Sequence, residues 1–516
     1  MCNTENYSAA HSDLESKYQS VLQENSQLKQ RVAWFEKQLF GQKSEKRPVE
    51  SPDQLSLLGP PTETPPEKED KVTVTYQRGT ANKQRPDNCA TDSGLRFSDD
   101  VPVEVIEVPA PELQGSDADQ YEVIDTQVSH KLAQRPSSYV VLRYETPVVK
   151  HKASQTLSTP AMPDQVFEGS IADVSMLVGL LLDKFQFHLP LYRQHQRLAQ
   201  AGITLSRATL INWVKRSIEL LRPIVEAQLA NILLSRVLAM DETSIKSGRK
   251  SKGKMNTGQF WPIYGDKDEI VFTFATTRGR RHIEAMLKER FSGTLVTDGY
   301  AAYARYVETT EGITHAQCWV HGRRKFIEAE GGSPEESEQA IQLIAALYQN
   351  ERAIEEQSLK GDAKREYRLT HSKPIVDAFF DWADSTLRSS DLTPSNPLGK
   401  AINYMRLRES ALRTFLENPD VPLDTNHLER QIRAIPMGRK NWLFCWTELG
   451  AEHVGIIQSL ISTCKLHNIN PHTYLTDVLQ RVAVHPAKDV ADLTPRVWKE
   501  VYGQSPMRSV LDDLKQ

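Results

Sequence analysis

At 516 residues, with a quarter of them charged and a net charge of −4, the chain is long enough for about three or four domains. It is also too nearly neutral to be drawn to nucleic acid as a whole, so any such binding must come from local basic patches. No apolar run approaches the length of a membrane span, and the start, MCNTENYSAAHSDLESKYQS, lacks the basic head and apolar centre of a signal peptide. Five scattered cysteines, Cys2, Cys89, Cys318, Cys445 and Cys464, argue against a disulfide framework and for a reducing cytoplasm.

In chain order, residues 1–42 read as a coiled-coil helix. Leu14, Val21, Leu28 and Phe35 recur every seven positions, and Tyr18, Asn25, Val32 and Leu39 form the second seam. That is a heptad pattern for self-association, with Asn25 fixing the register; the alternative is one amphipathic helix packed on another domain. Residues 43–71, rich in proline and acids, read as a linker. Residues 72–165 show β-like alternation in VPVEVIEVP and SSYVVLRYETPVVKH, a small β module or an inert spacer. Residues 166–232 read as helical, with YRQHQRLAQAGITLSRATLINWVKRS resembling a helix-turn-helix. Its first helix ends near Ala201, Gly202 supplies the turn and Ser206 is a good N-cap. Arg207, Thr209, Asn212 and Lys215 would be exposed to DNA, while Leu210, Ile211 and Val214 pack. Such helix pairs are equally common in purely structural bundles.

The next stretch, RVLAMDETSI (236–245), is a short buried strand ending in Asp241 and Glu242. Strand residues alternate between faces, so one acid, Asp241, is expected to look into a shared site. KSGRKSKGKMNTG (246–258) reads as a mobile basic hairpin loop whose Lys250 and Lys252 suit phosphate. Two strands, QFWPIYGD and EIVFTFATT, precede a helix at about His282–Phe291. GTLVTDGYAAY then delivers Asp298 from a second strand tip, 57 residues after Asp241 (298 − 241). In ITHAQCWVHGRRKF, His315, Cys318 and His321 raise a zinc reading, which lacks a second Cys/His pair to close it. Arg323 and Arg324 open a basic helix that is either a phosphate contact or a solvated face. Residues 330–415 read as a helical insertion. The segment LDTNHLERQIRAIPMGRKNWLFCWTELG holds Glu429, which is either part of a capping box with Asn426 or a third metal carboxylate. Arg430, Arg433, Arg439 and Lys440 would line a DNA path beside it. Residues 448–516 read as a C-terminal helical region, with a break at Asn470–Pro471.

Taken together, LPLYRQ, LSRATLINWV, MDET, DGYAAY, CWVHGRRKF, DTNHLERQIRAIPMGRKNWLF and SLISTCKLHNINP resemble, in order, the transposases of the insertion sequence sixty-six family. The resemblance spans roughly residues 170–480. It implies an α/β, ribonuclease H-like catalytic core in two parts, 233–329 and 416–447, interrupted by the helical insertion. It also implies a catalytic Asp-Asp-Glu triad at Asp241, Asp298 and Glu429, holding two Mg²⁺ ions (Mn²⁺ an acceptable substitute) for DNA cleavage and joining. The implied partners are element-end and target DNA, a second copy of the chain, and two small accessory proteins of the same element. One departure concerns the family's cysteine-paired zinc segment between zipper and core: the corresponding stretch here has no cysteine, so structural zinc is not expected. Two rivals share these residues, a catalytically silent DNA-binding repressor and a structure-specific nuclease.

Overall fold

The computed structural model describes residues 165–509 apart from short gaps at 169, 171, 201–202, 204, 288–289, 390–391 and 393–395. It also describes a two-stranded antiparallel pair, β1 (Val149–Lys150) and β2 (Leu157–Ser158). The expected coiled coil, linker and most of the small β region lie outside the described residues, as do Ala201 and Gly202.

Three helices open the described part: α1 (Val174–Phe185), α2 (Leu191–Gln200) and α3 (Arg207–Ile232). Ser206 caps α3, its hydroxyl accepting from the Thr209 amide at 3.0 Å. The buried side of α3 runs through Leu210, Trp213, Val214, Ser217, Ile218 and Leu221, a stripe of helical period. Ile211 falls off that stripe and is 55% exposed, so the expectation that it packs is corrected. Trp213 takes its place in the core.

A six-stranded mixed sheet follows. Its strands are β3 (Val237–Met240), β4 (Thr243–Ser251), β5 (Lys254–Gly265), β6 (Ile270–Ala275), β7 (Gly293–Thr297) and β8 (Ile313–Gln317). Between β6 and β7 lies α4 (Arg280–Leu287), and between β7 and β8 lies α5 (Ala301–Glu308). Helix α4 stops short of the expected Phe291, which is buried beyond the helix end. Strand β5 pairs antiparallel with β3, β4 and β6, whereas β3, β7 and β8 are mutually parallel. β3 and β4 are one bent strand in effect: pairing with β5 runs without slip from Leu238↔Gly265 to Thr243↔Phe260, passing Asp241–Glu242 on the way. The basic stretch 246–258, expected as a hairpin loop, is a hairpin whose two arms belong to β4 and β5. Its turn uses Gly253 at φ +74, a conformation that glycine adopts without steric cost. Solvent bathes both faces of the hairpin's tip, so no apolar alternation marks it in the sequence.

From β8 the chain enters α6 (Trp319–Ala329) and a helical excursion of α7 (Pro334–Glu356), α8 (Gly361–Tyr367), a π-turn at Arg368–Ser372, α9 (Lys373–Ser389), α10 (Pro397–Arg406) and α11 (Glu409–Glu417). Trp319 pins it to the sheet. Its ring is fully buried among Phe379, Phe380 and Phe415, with centroids 5.5, 6.3 and 6.4 Å away, and its indole donates to the Leu412 carbonyl.

The chain returns through α12 (Asn426–Ile432), α13 (Ala434–Trp442), α14 (Glu448–Leu466), α15 (Pro471–Arg481) and α16 (Pro495–Val501). Helix α14 covers the outer edge of β6. The Ser459 and Thr463 hydroxyls accept from the Phe272 and Ile270 amides, satisfying an edge that would otherwise invite foreign strands. Gly455 allows the approach, because a Cβ there would stand 2.3 Å from the Phe272 carbonyl. Among the described residues, no helix is long and apolar enough to cross a membrane.

Candidate active site

Three parallel strands end together at one edge of the sheet. β3 and β7 pair as Leu238↔Leu295 and Ala239↔Val296; carried two residues on, the same register sets Asp241 opposite Asp298. β7 and β8 pair as Thr297↔Gln317, so the next residues, Asp298 and Cys318, are neighbours in turn. Buried runs on each strand (Val237–Met240, Thr294–Thr297) hold the acids on rigid supports, as parallel strands covered on both faces do.

Asp241, Glu242 and Asp298 each offer a carboxylate oxygen, and these oxygens lie within 4.8 Å of one another. The expectation that one acid of the Asp241–Glu242 pair faces the site is therefore corrected. Alternation governs strand residues, and the strand assignment lapses at these two positions. Glu242 is held at both oxygens: Oε1 accepts from Arg278, with Nε at 2.7 Å, and Oε2 accepts from the Tyr303 hydroxyl at 3.0 Å. Arg278 lies over the Tyr300 ring at 4.1 Å, and the Tyr300 amide donates to Asp298 Oδ1 at 2.8 Å. A closed chain of contacts thus ties Glu242 to Asp298. Neither Arg278 nor Tyr303 was singled out from the sequence; the run DGYAAY carries the tyrosine, but nothing local marks its reach.

Crowded acids hold protons. Burial first, then the Asp298 charge, raises Asp241 to about 7 and also raises Glu242. Burial pushes the Tyr303 phenol far above its ordinary range, keeping it a donor to Glu242. Gly299, after Asp298, is required by close packing: a Cβ there would meet the Tyr404 hydroxyl at 2.2 Å. The Gly299 carbonyl accepts from Arg408 at 2.9 Å, so the helical excursion braces the Asp298 turn directly.

Glu429 lies on α12, buried, outside the cluster of three. Its carboxylate faces His321 Nε2 at 3.6 Å and Arg324 at 3.9 Å, and His321 in turn bears electrostatically on Asp241. The capping-box reading is corrected. The N-cap is Thr425, without a side-chain cap bond, and Asn426 donates from both amide and side chain to Asp424. His315 and Cys318 have partners of their own. His315 Nε2 meets Thr297 Oγ1 at 2.9 Å, and Cys318 Sγ accepts from the Thr425 amide at 3.4 Å, with burial pushing its thiol up to about 12.

The candidate DNA contacts divide. Arg207, Asn212 and Lys215 are exposed on α3, whereas Thr209 spends its hydroxyl on Ser206. Lys250 and Lys252 are exposed at the hairpin tip, and Arg430 and Lys440 are exposed on α12 and α13. Arg433 is half-buried at the junction of those helices. Arg439 donates to the Ser244 backbone carbonyl and, at 3.3 Å, its hydroxyl, clamping α13 onto the strand that follows the two acids. Arg323 is only 9% exposed and its charge bears on the buried Tyr348 phenol, so it is withdrawn as a phosphate contact. It lies on the inner face of α6, which the basic triplet alone does not reveal.

A carboxylate cluster at the tips of parallel strands, bordered by basic surface, defines a candidate cation-dependent site for a polyanionic substrate. The family model described as Transposase IS66 family matches residues 169–453, IS66 C-terminal element matches 459–496, and Transposase C of IS166 homeodomain matches 27–106. The chain is similar to two proteins of Sinorhizobium fredii (strain NBRC 101917 / NGR234). With Uncharacterized protein y4jD it shares 31% identity over 360 residues, 66% of this chain and 69% of that one. With Uncharacterized protein y4hP it shares 28% over 395 residues, 72% and 70% of the two chains. The chain belongs to the IS66 transposase family.

Proposed function

We propose that this transposase cleaves the ends of its insertion sequence and joins them to target DNA on a ribonuclease H-like core. The observation that carries the reading is the parallel register that sets Asp241 against Asp298 in one carboxylate cluster. The central antiparallel β5 and the order β6-β5-β3-β7-β8 support the fold assignment. An all-oxygen donor set suits hard divalent cations, Mg²⁺ foremost with Mn²⁺ as substitute. Asp241, Asp298 and Glu429 are the proposed ligands and catalytic triad. Glu242, engaged at both oxygens, is a positioning residue. When bound, the cations supply Lewis acidity toward the scissile phosphate and its leaving oxygen.

The protein's own groups orient the reaction. Tyr300 and the braced Gly299 turn fix Asp298, while Arg278 and Tyr303 fix Glu242 beside Asp241. Hydrolysis breaks one phosphodiester bond and leaves a 3′-hydroxyl at the element end. That hydroxyl then displaces a 3′-oxygen in target DNA, one P–O bond forming as one breaks. Arg207, Asn212 and Lys215 on α3, with Lys250, Lys252, Arg430 and Lys440, are the proposed DNA contacts, and Arg433 at the α12–α13 junction and Arg439 in the last turn of α13 support them. Self-association through residues 1–42 would bring two ends together, with accessory proteins of the same element as further partners.

The test is cleavage and strand joining on labelled element-end DNA with Mg²⁺. Asp241→Ala, Asp298→Ala and Glu429→Ala should bind DNA yet be inert. Binding by wild type without cutting, accessory proteins supplied, would favour the repressor, and cutting without joining would favour the nuclease.

A further inference from the structure

Helix α13 ends in an uncommon way. Leu443 has φ 64 and ψ −55, and the Phe444 amide donates to the Trp442 carbonyl at 2.7 Å. These are the marks of a γ-turn of the rare, strained hand, at a residue with a branched side chain and no glycine freedom. Strain of this kind persists where surrounding structure enforces it, and it gathers at functional sites.

The turn throws the chain against the outer edge of β4. Cys445 pairs with Ser247, its amide donating to the Lys246 carbonyl and its carbonyl accepting from the Gly248 amide. In an extended chain, neighbours on either side of an inward residue point outward. Cys445 is accordingly buried, and Phe444 and Trp446 meet on the other face with ring centroids 4.9 Å apart. Trp446 is 71% exposed, with Leu443 and Met437 also exposed nearby. An indole so exposed, on backbone paired with β4, the continuation of the strand that ends in Asp241, is a platform without a cover among the described residues.

Charge identifies the occupant. The adjoining hairpin, 243–258, holds Lys246, Arg249, Lys250, Lys252 and Lys254 and no acid. It borders a cleft of about 920 Å³ in which Glu448 is the acidic lining residue. Arg439 and Lys440 lie on the helix just before the turn. Aromatic faces set in a basic surface suit stacked bases of single-stranded nucleic acid. We propose that Phe444 and Trp446 form a stacking platform for an unpaired base of the DNA strand running from the active site. Ser247 is five residues beyond Glu242, at most about 17 Å of extended backbone, which a few nucleotides of a single strand can span. The inference rests on the transposase reading for its substrate, but its test does not depend on cleavage.

Full-length wild type, Trp446→Ala and Trp446→Phe are titrated, in EDTA, with a labelled oligothymidylate and a blunt mixed-sequence duplex of equal length, and anisotropy is read. The Ala variant should lose about tenfold or more in affinity for the single strand, the Phe variant should retain most of it, and both should bind duplex as wild type does. Equal loss on both DNAs, or none on either, overturns the platform. A change in sedimentation of the Ala variant without DNA overturns it too, assigning the face to a second copy of the chain. Loss confined to the single strand in a protein that never cuts would leave the platform standing and the transposition chemistry refuted.

Discussion

Replacing Asp241 by asparagine should stabilise the metal-free protein while abolishing its activity. Three carboxylates converge within 4.8 Å, and burial together with the Asp298 charge raises Asp241 to about 7. Against an unfolded value near 3.9, a displacement of roughly three pH units corresponds to about 4 kcal/mol. The folded form binds the proton more tightly than the unfolded chain. This group's contribution is therefore complete below about pH 4 and is lost as pH rises toward 7. Above pH 7 the ionised carboxylate is a standing cost that asparagine lacks. Taking half the ceiling for relaxation around the new amide, the variant should gain about 2 kcal/mol at pH 8, raising Tm by roughly 2–3 °C for a chain of this size. The assay is thermal unfolding of both proteins in EDTA from pH 4 to pH 9. The gap in Tm should open between pH 4 and pH 7 and close when Mg²⁺ is added, because cations stabilise the wild type. A variant no more stable than wild type at pH 8, or a gap independent of pH, would refute the reasoning.

Other outcomes follow from neighbouring contacts. Glu242→Gln should leave Arg278 without its carboxylate partner and weaken Mn²⁺ binding measured by titration calorimetry; unchanged binding would show that Glu242 plays no part in shaping the site. Tyr303→Phe, which removes one hydroxyl donor from Glu242, should cost about 1 kcal/mol in chemical unfolding and lower the joining rate more than DNA affinity. Gly299→Ala forces a methyl onto the Tyr404 hydroxyl and should cost about 1–3 kcal/mol, with Tyr404→Phe partly restoring stability. Gly455→Ala meets backbone, the Phe272 carbonyl, so it should destabilise at least as much, and no side-chain change should rescue it.

The sequence made some of this legible and hid the rest for physical reasons. The spacing of 57 between Asp241 and Asp298 is the offset of the β3–β7 register itself, so two apolar runs each ending in an acid were informative. Glu242 was misread because alternation was applied across a point where the strand bends. Its partners, Arg278 and Tyr303, come from 36 and 61 residues away, beyond any local pattern. The hairpin at 246–258 was legible from its Gly and Lys content, but the length of its strands was not, because water touches both faces of its tip. Ile211 is apolar but falls off the helical stripe that runs through Leu210, Trp213, Val214 and Ile218, so apolarity alone misplaced it. Arg323 looked like surface because its burial depends on the helical excursion packed over α6.

Asp241 and Asp298 are proposed to work as one catalytic pair across β3 and β7. The most direct test is cleavage and joining of labelled element-end DNA in Mg²⁺ by wild type, Asp241→Asn and Asp298→Asn, with binding measured in parallel. Wild type should give cut and joined product, and each variant should bind fully and give no product. Joined product from either variant would contradict the pairing.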